Sequence, residues 1–540
     1  MPLADAYLRE FEHVARTAFS MWNRDPASPS FGSFDRQYWG WKYKDFSDAT
    51  LQYAVILACE YARRQGRTQA LPALLEGFVG YCASIQHGDG SFDQCYPYES
   101  TPGVVYDILP ALTYVRRSPY LESASARAKL DAVIGGAVEF ALRTDERHGE
   151  VANHIAEYAW ELLDFAAQSG HDAARRRGDA YLERLLSLFD REEGWFLEYN
   201  GADAGYQSRC LRYFGKIAAL KDDAGLWEIA GSAAGFVATL MTPDGSLNPM
   251  LGCRSTALLY ASAFETLAAR SDAGRGAAHA VRRAWRERRV PMPSEIDFCN
   301  AIRLAHDAMD AADAAVDLGA EQEALARDIH LPRAGIAIYA SERRRVYVAT
   351  RMGGAYSVYA REAEGWKLAR EEAGYLLKSP VDSGTWVTRL AGVGELKEHR
   401  PDGCRIEAPF VRSLHDEVTP PRMLLLRVLN LTVLRVQWLA DLFRKLVVRR
   451  LISGVDPLPL RLERSIALEQ DAIVVTDRIF GEGPKQRGTQ LYACRRVTGA
   501  HMASARYFQV AELDDAWIET LAWDGVAPFA RVQRIEAGAR

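Results

Sequence analysis

Two hydrophobic rhythms divide this chain. Through about residue 325, apolar positions recur three and four apart. The segments 49–64, 71–85, 106–115, 126–142, 155–167, 180–188, 226–240 and 256–269 carry stripes that predict amphipathic helices. Pro291 and Pro293 interrupt the pattern, and a short Ala-rich helical linker is predicted from 294 to about 328. Alternating, β-branched patterns then take over in AGIAIYA (334–340), VYVATRM (346–352), YSVYA (356–360), IALEQDAIVVTDRI (466–479) and LYACRRV (491–497). With their turn residues they predict an antiparallel sandwich. One segment, VQWLADLFRKLVVRRL (436–451), returns to helical spacing with a basic face. It is predicted as a packing helix inserted among the strands.

The helical part repeats. A related loop reads GDGSFDQCYPYES near Gly90, REEGWFLEYNG near Gly194 and PDGSLNPMLG near Gly245. The steps are 104 and 51 positions, so a further repeat falls near Gly149. About 52 residues is two helices with their two loops, the period of a helical-hairpin array. A single hairpin cannot bury its apolar face, so hairpins must stack, and closing the stack leaves a central cleft. The expected class is therefore α+β and multidomain. An (α/α) helical toroid would span 1–325, and an antiparallel β-sandwich with its inserted helix would span 326–540.

Composition narrows the function only a little. The 540 residues carry a net charge of -5, with 25% charged and 48% hydrophobic residues. Neither a nucleic-acid nor a membrane partner is expected from that balance. The first 22 residues read as an amphipathic helix containing Asp5, Arg9, Glu10 and Glu12, not as a leader, and no apolar run is long enough to cross a membrane. The default expectation is a cytoplasmic protein, with periplasmic location or release left open. The 8 cysteines form no C-x-x-C pair or zinc spacing. They are expected to be mostly buried free thiols, and no metal or cofactor is expected.

Candidate chemistry gathers in two places. Asn153 and His154 stand where a loop enters the helix NHIAEYAWELLDF, and Tyr206 follows Gly201 and Gly205 at a second such entry. Helix entries on a rigid scaffold point polar groups into a cleft. Arg209 and Arg212 follow in the same stretch and would suit an anionic ligand, or would pair with Asp203 or Glu198. The loops add Trp39, Gln94, Tyr98, Trp195 and Tyr199, and the segment of Trp39 also holds Trp41 and Tyr43. Aromatic rings stack on the apolar faces of sugars, so the collection points to a carbohydrate cleft.

A hairpin toroid followed by a sandwich resembles the heparinase II/III-like polysaccharide lyases, which include alginate-degrading members. The resemblance extends to Asn153-His154 and to Tyr206, 53 and 52 positions on, after the aromatic and acidic loop EGWFLEYNGADAG. The specific motifs cover about sixty residues. The family's second His, at the start of the sandwich, has no counterpart. RMGGAYSVYAREAEGWK (351–367) keeps Gly353-Gly354 without it, and His330, His399 and His415 lie outside that motif.

The resemblance implies β-elimination on a uronic-acid polymer. Asn153, with Arg209 or Arg212, would neutralise the uronate carboxylate and so acidify the C5 proton. Tyr206 would serve as base and acid, or would protonate the leaving oxygen while His154 takes the proton. The substrates implied are alginate-like, heparosan-like or capsular aminouronate polymers such as Vi antigen, with a bacterial capsular polyuronate favoured. Three other readings stay open: a glycoside hydrolase using Asp89, Glu198, Asp203 or Asp244, a uronate C5-epimerase, and a non-catalytic glycan-binding protein.

Overall fold

The computed structural model describes residues 3–94, 108–145, 151–320, 327–378, 384–389, 392–413, 419–447, 456–481, 489–495, 507, 518–523 and 528–536. Its first part is helical. The helices are α1 (Leu3–Met21), α2 (Arg36–Trp39), α3 (Ala54–Arg64), α4 (Leu71–Ile85), α5 (Leu109–Arg117), α6 (Ala124–Arg143), α7 (Ala152–Ser169), α8 (Asp172–Ser187), α9 (Ala204–Lys221), α10 (Ala224–Thr239), α11 (Ser262–Ala268), α12 (Asp272–Arg286) and α13 (Phe298–Ala314).

Two loop lengths organise them. Within a hairpin the link is short. Gly170, at φ 71°, ends α7, and α8 starts two residues later. Asp222, at φ 50°, ends α9, and Asp223 then caps α10 by accepting from the Leu226 N–H. Between hairpins the links are long and carry the repeated loops: the one at Gly194 leads into α9 and the one at Gly245 into α11, while the repeat expected near Gly149 falls largely outside the described residues. Contacts pass from α3 through α5, α7, α9 and α11 to α13, and α13 returns to α3. A second row holds α4, α6 and α8, and another pair is α10 with α12. The segment predicted as a linker is thus part of the helical body. The α13 helix packs on α1, α3 and α11, and its Ala residues at 301, 305, 308 and 311 are buried there.

The strand part has two antiparallel sheets. One runs β3 (Ile329–Leu331), β4 (Ile336–Ala340), β5 (Arg344–Ala349), β6 (Ala355–Glu362) and β7 (Gly365–Glu372) in chain order. The other contains β8 (Gly374–Lys378), β9 (Thr385–Val387), β10 (Glu395–Arg400), β11 (Gly403–Arg412), β12 (Pro457–Leu468), β13 (Ala472–Gly481), β14 (Gln490–Cys494), β15 (Ile518–Leu521) and β16 (Phe529–Glu536). Its order is β15-β14-β8-β9-β11-β12-β13-β16, with β10 on β11. A two-stranded ribbon, β1 (Phe189–Asp190) with β2 (Trp195–Phe196), belongs to the helical part.

The smaller sheet is buried on both faces. Ala337, Tyr339, Val346, Val348, Tyr356 and Val358 pack on Cys404, Ile406, Ile466, Ile473 and Val475 of the larger sheet. The alternate residues Ile336, Ile338, Tyr347, Ala349, Ala355 and Tyr359 join the helical core. Two buried faces explain why β4 and β5 read as unbroken apolar runs. Polar bonds fix the junction. Tyr347 OH donates to Met241 O at 3.1 Å, Asn248 Nδ2 to Ser357 Oγ at 2.6 Å, and Arg389 Nη2 to Met250 O at 2.9 Å and Ser255 Oγ at 2.6 Å. Gly353, within the strand part, brings the turn after β5 against the chain after β9. It sits at φ 69°, where a Cβ would lie 2.0 Å from Thr388 O.

Between β11 and β12 the chain leaves the sheet for α14 (Pro420–Leu431) and α15 (Gln437–Val447). The sequence predicts the second of these and not the first. Neither behaves as a packing helix throughout, since Leu424, Val428, Trp438 and Leu442 are exposed. Among the described residues no helix is long and apolar enough to cross a membrane.

Candidate active site at the entries of two helices

The segment 195–206 laces α7 to α9. Ala152 N donates to Leu197 O at 3.1 Å, and Phe196 N donates to Gln207 Oε1 at 3.0 Å. Glu198 occupies the N-terminus of α7, where free N–H groups favour a carboxylate. Its two oxygens accept from Asn153 N at 2.8 Å and Asn153 Nδ2 at 2.7 Å. Asn153 is therefore not a helix cap; it is clamped by Glu198, and both are fully buried. The Oδ1 of Asn153 is shielded from solvent and has no hydrogen-bond partner. His154 is 9% exposed beside it.

Asp203 does the corresponding work for α9. It accepts from Tyr206 N at 3.2 Å, and its other oxygen accepts from Arg254 N at 2.9 Å and Thr256 N at 3.3 Å. One carboxylate thus ties the entry of α9 to the loop before α11. The approach is close, because a Cβ on Gly252 would fall 2.4 Å from Asp203 Oδ2. Tyr206 is 6% exposed, with its ring centroid 5.8 Å from that of Tyr199. Tyr199, at φ 50°, tops a tight turn closed by Glu198 N to Gly201 O and Gly201 N to Glu198 O.

Arg254 completes the group, and the sequence reading does not single it out. Its guanidinium carbon lies 4.1 Å from the Tyr199 ring centroid. Its Nε and Nη2 are shielded from solvent without a hydrogen-bond partner. A buried donor left unpaired is costly, and a cation more so, unless an anion reaches it. The available signal was its position at the end of the third repeated loop.

The other arginines are already engaged. Arg209 Nη2 donates to Glu157 Oε2 at 2.6 Å, and Tyr213 OH donates to the other oxygen of Glu157 at 2.6 Å. Arg212 is 1% exposed; it donates to Arg303 O at 2.8 Å and to Asp310 at 3.3 Å, with Asp307 at 3.6 Å. The acids come from α7 and α13, not from Asp203 or Glu198. Close by, burial pushes His306 down to about 3, so a neutral ring meets Tyr53 OH at 2.6 Å. Burial would raise Asp310, but the Lys216 ammonium and the Arg212 guanidinium hold it below the usual carboxylate range.

The aromatic candidates separate. Trp195 is buried, with Nε1 donating to Glu193 at 3.0 Å. Gln94 is buried too, and Trp39 is half-buried with the Arg36 guanidinium 5.0 Å from its ring. Tyr98 lies outside the described residues. The four loop carboxylates are all held in local structure. Asp89 accepts from Ser91 and Asp244 from Ser246 in turns, while Glu198 and Asp203 serve helix entries. Among the described residues, no three His, Cys, Asp or Glu side chains are grouped to hold a metal ion.

Burial pushes the Glu198 carboxyl up to about 8, against the two Asn153 donors that pull it down. A folded-state value above the ordinary 4.5 means the folded protein holds this proton more tightly. Its contribution to stability is full below about pH 4.5 and is lost as pH rises through about 8. Thermal melts across that window should show the parent losing stability relative to Glu198→Gln. Parallel curves would mean that Glu198 is ionised throughout.

No family model matches the chain, and no curated protein matches it in sequence. Solved structures do resemble it. The chondroitin AC lyase of Streptomyces coelicolor A3, in complex with chondroitin sulphate, aligns with a TM-score of 0.52 at 13% identity, over 92% of this chain and 68% of that one. A xanthan lyase of Paenibacillus aligns with a TM-score of 0.50 at 12% identity, over 92% of this chain and 47% of that one. At this identity the likeness is one of architecture: the chain shares its overall fold with these two lyases.

Proposed function

We propose that this protein is a polysaccharide lyase that cleaves a uronic-acid polymer by β-elimination, with its site at the entries of α7 and α9. We read the closed series of helical contacts as an (α/α) toroid and the two sheets as its β-sandwich. The observation that carries the proposal is Arg254, a partly buried side chain with two solvent-shielded, unpaired guanidinium nitrogens over the Tyr199 ring, which itself lies against Tyr206 at a tilt. A substrate carboxylate would satisfy those donors. Neutralising that carboxylate makes the C5 proton easier to remove.

In this mechanism Arg254 takes the place that the sequence reading gave to Arg209 and Arg212, which become supports of the cleft floor. Asn153 gives one Nδ2 hydrogen to Glu198, which fixes the direction of the amide, and its second Nδ2 hydrogen would join in binding the carboxylate. Tyr206, with a reference pKa of about 10, needs a cationic or donor-rich setting to act as phenolate. It then takes the C5 proton and returns one to the leaving 4-oxygen, or it only protonates that oxygen while His154 takes the proton. Carboxylates held in turns and helix entries speak against a hydrolytic pair. A bacterial capsular polyuronate remains the favoured substrate class.

The test is a panel of purified polyuronates followed for the near-ultraviolet absorbance of an unsaturated product. A new reducing end without that absorbance would mean hydrolysis. Exchange of solvent deuterium into uncut polymer would mean epimerisation. On the polymer that is cut, Arg254→Ala should lower kcat/KM by about 10–100-fold, the worth of a charge-assisted hydrogen bond. Arg254→Lys should recover only part of it. Unchanged kinetics in Arg254→Ala would remove this arginine from the site.

A further inference from the structure

Among the described residues, the insert between β11 and β12 gathers most of the exposed apolar side chains. Of the 17 large hydrophobic side chains exposed among the described residues, 10 lie between 423 and 446. They are ordered. Leu424, Val428 and Leu431 form a stripe along α14, and Trp438, Leu442 and Leu446 form one along α15. Patches of this kind mark interaction sites.

The other side of the insert is fastened. Arg427 Nε donates to Asp45 Oδ2 at 2.5 Å, and its guanidinium lies 4.4 Å from the Phe46 ring. Arg435 Nη1 meets His87 Nε2 at 3.0 Å and its Nη2 lies 3.7 Å from Asp93. These bonds to two loops of the helical body fix the insert with its stripes outward. The loop that holds Asp45 also carries Trp41 and Tyr43, stacked at 5.7 Å and 59% and 75% exposed.

Charge selects the occupant. Arg427 and Arg435 are turned to the helical body, which leaves Arg422, Arg444 and Lys445 as the other cations between 420 and 447, against one acid, Asp441. A second copy of the chain would bring these three cations on each side against one acid each, so self-association is opposed. A bilayer surface with anionic headgroups satisfies both features, because it takes apolar stripes a few ångströms deep and attracts the cations around them. Exposed Trp and Tyr suit the headgroup level. The helices, of 12 and 11 residues, are too short to cross and suited to lie flat. We propose that α14 and α15 form a docking surface for an anionic membrane, on which the protein rests without inserting a span. This assignment is independent of the lyase reading.

The test is co-sedimentation of the full chain with vesicles of phosphatidylcholine alone, or of phosphatidylcholine and phosphatidylglycerol in equal amounts. Binding is expected to the mixed vesicles only and should weaken with salt. Leu424→Ser combined with Trp438→Ser should lower the bound fraction about tenfold or more. Lys445→Glu, at an exposed surface position, should lower it about fivefold or more with an unchanged melting temperature. The assignment falls if mixed vesicles bind nothing, if neutral vesicles bind equally, or if neither variant changes sedimentation. It also falls if the parent forms a dimer that Leu424→Ser dissociates, which would make a second copy the occupant.

Discussion

Tyr206→Phe is expected to fold like the parent and to lose release of unsaturated product by about 10²–10⁴-fold. The substitution keeps the ring that packs 5.8 Å from Tyr199 and keeps the N–H that Asp203 accepts. Only the hydroxyl leaves, at a stability cost of about 1 kcal/mol for one neutral hydrogen bond. Rate and stability therefore separate cleanly, and a melting curve beside the absorbance assay is the needed control. His154→Ala then divides the mechanism. It should be nearly as damaging if His154 takes the C5 proton, and mild if Tyr206 performs both transfers. A Tyr206→Phe protein that cuts at the parental rate would remove the tyrosine from the chemistry and with it the mechanism proposed above.

Arg464→Leu is expected to destabilise the protein by about 3–5 kcal/mol, the cost of stripping one partner from a buried ion cluster. Arg464 is fully buried between the sheets. Its Nε and Nη2 donate to Asp477 at 2.7 Å each, Nη2 also to Glu372 at 2.6 Å, and Nη1 to Gly354 O at 3.0 Å. Tyr375 OH adds a bond to Asp477 at 2.6 Å. Removing the guanidinium leaves the buried Asp477 without a cation, while Glu372 keeps Arg531 and Arg370. Chemical denaturation should show the loss, and a change below about 1 kcal/mol would mean that the cluster relaxes or takes up protons. Replacing Arg464 and Asp477 together by apolar residues should cost less than the single change, since Glu372 keeps Arg531 at 3.0 Å and Arg370 at 3.3 Å and no charge is then left unpaired.

What the sequence reveals and what it conceals follow from the range of the forces involved. The entries of α7 and α9, the repeated loops and the doubly buried β4 and β5 are legible because periodicity, turns and helix starts are local. The partners of Arg209 and Arg212 are not legible. Glu157 lies 52 positions before Arg209 and Asp310 lies 98 after Arg212, and only the closing of the helical series brings them together. The α13 helix reads as a linker because its alanines mask the acids it carries inward. Arg254 is hidden for the opposite reason. Asp203 takes its backbone N–H and leaves its guanidinium unpaired, which no local pattern signals. Trp195 looks available for stacking until Glu193 and Phe236 enclose it. The insert is half legible. The helix at 437–447 announces itself by spacing, but nothing local says that its apolar stripe faces outward.

Arg389 gives the junction between strands and helices a second meaning. It leaves the strand part to grip Met250 O and Ser255 Oγ, the two ends of the short segment that contains Arg254. The guanidinium that would receive a carboxylate is thus latched from across the junction. A movement that lifted the sheets to admit a long polymer would release the latch, and closing would reset it. On the proposed lyase reading, admission of the polymer and presentation of Arg254 would then be one mechanical event.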